Sequence, residues 1–276
     1  MISRYASHPQ DYVSYDTSRI RKEFLADQLV EDGRLNLIYT HYDRFIFGTA
    51  QPTKAPIELG NYEQLKASYF LQRRELGVIN LAGDGVIIVD GTEYKLAKYD
   101  CLYVGRGAQK VIFNSNNADE PALFYLNSCP AHKEYPTTLA HQADANRVDL
   151  GSKESCNERT IFQYIHEDGV QSCQLVMGYT ELASGSIWNT FPPHTHERRM
   201  EVYFYFDVPE DQVVLHLMGR PDETRHIVMK NYEAVISPEW SIHSGAGTMA
   251  YKFVWGMGGE NQSFTDMDGI SLNDMK

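Results

Sequence analysis

PPHTHERRMEVYFYF, residues 192–206, is the stretch on which the reading of this chain turns. His194 and His196 stand two apart, so in extended backbone they project to the same side. Four residues later Glu201 opens a run of alternating Val, Tyr and Phe. Downstream, PEWSIH (238–243) sets His243 at the start of a late apolar run. Either part alone is unremarkable, because an HxH pair is commonly a surface feature and a single His a satisfied core residue. Three imidazoles and a carboxylate brought together inside one barrel make a site for a divalent metal ion.

Outward from that stretch the chain reads as all-β. Short runs rich in Val, Ile, Tyr and Phe alternate with Gly, Asn and Asp: LNLIYT (35–40), GVINLAG (77–83), GVIIVDG (85–91), CLYVG (101–105), KVIFN (110–114), ALFYLN (122–127), TIFQYI (160–165), QVVLHLMG (212–219), TRHIVM (224–229) and MAYKFVWGMGG (249–259). Asp90-Gly91 between GVIIV and TEYKL signals a hairpin turn, and many short strands at such spacing suggest barrels or sandwiches. Residues 16–31 read as the one amphipathic helix, with an Asp/Thr/Ser start. The polar stretch 131–158 reads as a connection, dividing the chain into halves 1–145 and 146–276.

The halves show a weak repeat. LQRRELGVIN (71–80) lies over HERRMEVYFYF (196–206), with Arg73-Arg74 on Arg198-Arg199. YDCLYVGRGAQK (99–110) lies over YEAVISPEWSIH (232–243), so that Tyr99 meets Tyr232, Asp100 meets Glu233 and Lys110 meets His243. Leu71, Leu76 and Lys110 then stand where His196, Glu201 and His243 do. None of them completes such a site, so the first half is expected to be metal-free and the chemistry to sit in the second.

Twenty-five Lys+Arg against 37 Asp+Glu give a net charge of −12. A nucleic-acid partner, which needs a basic stripe to displace counterions, is not expected, nor is an anionic membrane surface. No apolar run reaches membrane-spanning length, the first residues have no apolar signal core, and Cys101, Cys129, Cys156 and Cys173 form no CxxC. The expected setting is a reducing cytoplasm, with the cysteines as free thiols.

HxH-x4-E followed about 40 residues later by P-x4-H matches the two-part pattern of the cupins, with Trp240 where cupins usually carry Gly. More specifically, SYFLQRRELGVINLAG (68–83), LYVGRGAQKVIF (102–113), CQLVMGYTELASGSIWNTFPPHTHERRMEVYFYF (173–206), AVISPEWSIHSGAGT (234–248) and FVWGMGGENQ (253–262) resemble the 5-keto-4-deoxyuronate isomerase family over nearly the whole chain. The resemblance implies a double-cupin fold, one zinc ion per chain held by His194, His196, Glu201 and His243, and a cytoplasmic homo-oligomer, often a hexamer. It also implies an aldose–ketose isomerisation of 5-dehydro-4-deoxy-D-glucuronate to 3-deoxy-D-glycero-2,5-hexodiulosonate in pectin breakdown. Moving a carbonyl from C1 to C2 through an enediol needs a general base, and the candidates are His216, His226, Tyr203 and Glu197. A bidentate cation suits the substrate carboxylate: Arg198 first, by strand parity with the histidines, then Arg225, with Arg73 and Arg74 further possibilities. Two other readings use similar ligands: a 5-deoxyglucuronate isomerase of inositol breakdown and a cupin dioxygenase. A sugar-binding cupin without activity is the non-enzymatic alternative.

Overall fold

The expected alternation of apolar and polar residues is realised as 24 strands and one α-helix in a computed structural model that describes residues 1–276. No helix is long and apolar enough to cross a membrane. The strands form two seven-stranded and two four-stranded sheets plus a two-stranded ribbon. Each larger sheet pairs with a smaller one to make a bicupin-type β fold.

The repeat is legible strand by strand. In the first seven-stranded sheet Arg74–Asn80 is flanked by Phe124–Pro130 and Cys101–Val104. In the second Arg199–Phe206 is flanked in the same order by Lys252–Gly259 and Ala234–Ser237. Leu76 pairs with Val104 as Glu201 pairs with Ser237, which is the register the aligned sequences require. Tyr99 and Tyr232 both adopt left-handed backbone, with φ of 73° and 64°. Asp100 accepts from the Ala97 amide at 2.9 Å, as Glu233 accepts from the Lys230 amide at 2.7 Å.

The hairpins correct one match. Val89–Asp90–Gly91–Thr92 and Arg220–Pro221–Asp222–Glu223 close the same strand pair through two-residue turns. Two residues before each turn, Ile87 pairs with Phe113 and Met218 with His243. The residue in the place of His243 is therefore Phe113, not Lys110. The loop before the strand is longer in the first half and shifts the register. Leu71, Leu76, Ile87 and Phe113 all belong to one buried hydrocarbon cluster.

The compact units are discontinuous. The first comprises Met1–Arg4, Gln28–Ala145 and Tyr164–Met177; the second comprises Tyr5–Asp27, Asn146–Gln163 and Gly178–Lys276. A single division at 145/146 thus misplaces two segments. The helix is shorter than its sequence pattern, spanning Thr17–Phe24, with the Asp16 side chain accepting from the Arg19 amide at 2.8 Å as its N-cap. It stops because Leu25–Ala26 pair with Ala234–Ser237 as an edge strand of the second unit. Its segment docks on Trp240, whose ring lies 5.1 Å from Tyr12 and 6.2 Å from Phe24. Bulk at this position, where cupins usually carry Gly, gives the N-terminal segment an aromatic seat.

Candidate metal centre and cavity

Three strands of the second unit and the turn between two of them deliver the histidine–glutamate set. His194 lies on the two-residue strand His194–Thr195, held by Asp268–Gly269 near the C-terminus. His196 follows it, and the chain turns at Glu197 and Arg198 before Arg199–Phe206 begins. Glu201 is on that central strand. His243 comes from the opposite sheet, in Ile242–Gly247. The three histidines converge with their ligating nitrogens within 4.8 Å of one another. Glu201 Oε2 lies 3.2 Å from His196 Nε2 and 3.0 Å from His243 Nε2, and the latter is 3.1 Å from His194 Nε2.

Whether this set fits a cation can be judged from its proton inventory. His196 Nδ1 lies 3.0 Å from the Arg199 carbonyl, an acceptor that requires Nδ1 to carry the proton. His243 Nδ1 faces the Ser241 carbonyl at 3.4 Å in the same way. With Nδ1 so committed, both rings turn Nε2 inward, onto the carboxylate. Burial pushes the Glu201 carboxyl up, while His243 and His196, acting as proton donors to it, hold the group well below the usual carboxylate range. Burial, followed by the proximity of His243, lowers His194 to about 2. An ionised carboxylate and inward-facing imidazole nitrogens, whose protons a divalent cation would displace, form a donor set that such a cation satisfies.

His194 and Glu201 also form part of the wall of a cavity of about 500 Å³. Phe253 and Trp255 supply apolar wall, and Arg159, Thr190 and Tyr203 supply polar groups. The Tyr203 hydroxyl is 3.0 Å from that of Thr190, and burial raises its pKa well above that of a free phenol. Arg159, at the start of Arg159–Ile165, donates from Nη1 to the Asn157 carbonyl at 2.9 Å.

The other candidates lie elsewhere. Arg198 is not a cavity residue: its side chain is 52% exposed and faces Glu260 at 3.9 Å. The parity argument failed because the chain turns between His196 and Arg199. Arg199 is buried against the cavity, but it donates to the carbonyls of Ser263, Phe264 and Asp266. Arg225 pairs with Glu223 at 2.6 Å and packs over Tyr12. His226 is exposed on an edge strand, and Glu197 is exposed in the turn. His216 is fully buried behind the cavity wall, with Nδ1 2.8 Å from the Tyr205 hydroxyl. Arg73 and Arg74 belong to the first unit. Of the proposed bases, Tyr203 alone lines the cavity. Arg159 was missed because it sits in a strand more than 30 residues before the histidine motif, with no local pattern to mark it.

The profile of the KduI/IolB family matches residues 24–270. This chain belongs to that family. A protein of Formosa agariphila named 4-deoxy-L-threo-5-hexosulose-uronate ketol-isomerase is 55% identical over 274 residues, covering 99% of this chain and 98% of its own. One of the same name from Caldicellulosiruptor bescii is 52% identical over the full length of both. Among solved structures, an IolB-like protein of Salmonella typhimurium superimposes with a TM-score of 0.74 at 14% identity, over 90% of this chain and 96% of its own, and shares the fold.

Proposed function

We propose that this family member is a metal-assisted ketol-isomerase converting 5-dehydro-4-deoxy-D-glucuronate to 3-deoxy-D-glycero-2,5-hexodiulosonate. The ring nitrogens of His194, His196 and His243 gathered beside the Glu201 carboxylate carry the reading. Full-length relatives at 52–55% identity bear that activity in their name. Those four residues would hold the ion, and zinc suits the set, although nitrogen–oxygen sites of this kind also accept other divalent metals. When bound, the ion supplies Lewis-acid stabilisation of negative charge on the sugar oxygens.

The chain's own residues do the rest. Isomerisation moves hydrogen from C2 to C1 and, separately, a hydroxyl proton from O2 to O1. Tyr203 is suited to the second transfer: kept protonated by burial and oriented by Thr190, its hydroxyl gives a proton to O1 and recovers one from O2. Arg159 replaces Arg198 and Arg225 as the partner of the substrate carboxylate, being the cavity arginine whose fork is not spent on the C-terminal segment. Phe253 and Trp255 keep bulk water from the reacting carbons. An acidic protein thereby offers its anionic substrate a local positive site.

The test is turnover of 5-dehydro-4-deoxy-D-glucuronate beside 5-deoxyglucuronate, with metal content measured in the same preparation. Preference for the first sugar acid and loss of turnover on verified metal removal are expected. Full turnover by metal-free protein, or preference for the second sugar, refutes the reading. Arg159→Met should raise KM roughly 10–100-fold, the worth of one charged hydrogen-bonded contact, with kcat changed less. The family setting also supports a cytoplasmic homohexamer acting in pectin breakdown, which light scattering and growth on pectin would test.

A further inference from the structure

The first unit has its own cavity, of about 280 Å³, and its wall is cationic. Arg44, Arg73 and Arg74 line it, with Gln64, Tyr39 and Phe70, and no Asp or Glu takes part. The arginine ion pairs of the chain engage Arg19, Arg34, Arg147, Arg198, Arg220 and Arg225 and none of these three. Arg74 is 6% exposed, and its guanidinium meets only neutral acceptors: the Ser128 hydroxyl at 3.1 Å, the Ser128 carbonyl at 2.7 Å and the Arg44 carbonyl at 2.7 Å. The only carboxylate acting on its charge is that of Glu75, which is itself spent on the Cys173, Gln174 and Leu175 amides and the Tyr103 hydroxyl. Arg73 spends one terminal nitrogen on the Leu65 and Lys66 carbonyls, and Arg44 one on His41 Nδ1. The remaining N–H groups of both exposed side chains are free to meet a ligand.

By strand register Arg74 corresponds to Arg199, and Pro130 beside it to Gly259. Arg199 is capped by backbone carbonyls of Ser263, Phe264 and Asp266. Arg74 has no such segment over it. The duplicated strand end that the second unit covers with its C-terminal residues is left as an open concavity in the first.

We propose that this concavity binds the phosphate monoester of a small sugar. Three guanidiniums call for a ligand of about two negative charges, which a phosphate monoester carries near neutral pH, and arginine forks match its oxygens. Tyr39 and Phe70 offer an apolar wall to the carbon skeleton, and the volume admits a phosphate with a short polyol. The site is separate from the metal centre, so its occupancy is a property of the first unit alone.

Calorimetric titration of the full chain with glucose 6-phosphate, beside glucuronate at matched ionic strength, tests the proposal. Glucose 6-phosphate should bind with a Kd below about 1 mM. The Arg44→Gln/Arg73→Gln protein should bind it at least roughly ten-fold more weakly, whereas glucuronate binding should be the same in both proteins. Gln64→Glu, which adds a carboxylate to the wall and removes no arginine contact, should weaken the phosphate ester similarly. Absence of binding at about 10 mM, equal affinity in wild type and both variants, or an equal loss for glucuronate overturns it.

Discussion

Each unit buries a glutamate near the start of its central strand, one register position apart, and the two do opposite things. Glu75 accepts from the backbone amides of Cys173, Gln174 and Leu175 at 2.7–2.8 Å and from the Tyr103 hydroxyl at 2.7 Å. Its lone pairs are spent on donors, so it fastens a loop. Glu201 meets the Nε2 atoms of His196 and His243, whose Nδ1 atoms face backbone carbonyls. A buried carboxylate alone is thus no sign of a site for a cation. What sets Glu201 apart is that its neighbours are nitrogens able to ligate a metal, not backbone amides. Beneath Glu75's strand the barrel interior closes with Leu71, Leu76 and Phe113, the positions that hold His196, Glu201 and His243 in the second unit.

The sharpest way to break this comparison is to copy one interior into the other. His196→Leu/Glu201→Leu/His243→Phe gives the second unit the hydrocarbon residues of the first. Activity should fall about 10³-fold or more, the worth of several kcal/mol of charge stabilisation. Metal content should drop to background while the circular dichroism of a β protein persists. Retained activity would detach catalysis from these three side chains.

The converse change strikes fold rather than chemistry. Glu75→Gln places an amide NH₂ among groups that already donate, and it should destabilise the protein by about 3 kcal/mol, read as a melting temperature lowered by roughly 5–10 °C. Its kcat at 25 °C should stay near wild type. A large fall in kcat with unchanged melting would assign Glu75 a part in the reaction. Between these effects stands Tyr203→Phe. The matching residue of the first unit is Val78, so the hydroxyl belongs to the second unit only. Its loss should lower kcat about 10²-fold with KM little changed, as for a positioned acid–base group.

The reach of sequence reasoning follows the same line. The strands, the duplication and the histidine–glutamate set were all legible, because each rests on spacing along one chain. The discontinuous units were not, since nothing local in residues 5–27 announces that Tyr12 and Phe24 pack on Trp240. Arg198 was misplaced by assuming a strand that runs on past His196, and Lys110 by a loop that differs in length between the halves. Arg159 became visible only when folding brought its strand to the cavity wall.

The smallest expected effect concerns His216, whose counterpart by register is Gly85 and therefore titrates in one unit only. Burial, then the nearby His243, pushes it down to about 3, with Glu201 opposing. Its Nδ1 meets the Tyr205 hydroxyl and its Nε2 has no partner. With Nδ1 facing the Tyr205 hydroxyl, charging the ring leaves an Nε2 proton with no acceptor, so the folded protein keeps it neutral while the unfolded chain protonates it near pH 6.5. The unfolded state then binds more protons, and stability rises with pH across that interval. This contribution is complete above about pH 6.5 and is lost as pH falls toward about 3, at up to about 1.4 kcal/mol per unit. His194 titrates in the same direction, which makes the wild-type curve alone ambiguous. Comparison with His216→Gln, which can still accept from Tyr205, cancels the shared part. In chelator-treated protein the wild type should lose about 2 kcal/mol more than the variant between pH 6.5 and 5. Parallel denaturation curves for the two would mean that the folded barrel accommodates a charged His216, and that the interior of the active unit is more polar than its hydrogen bonds imply.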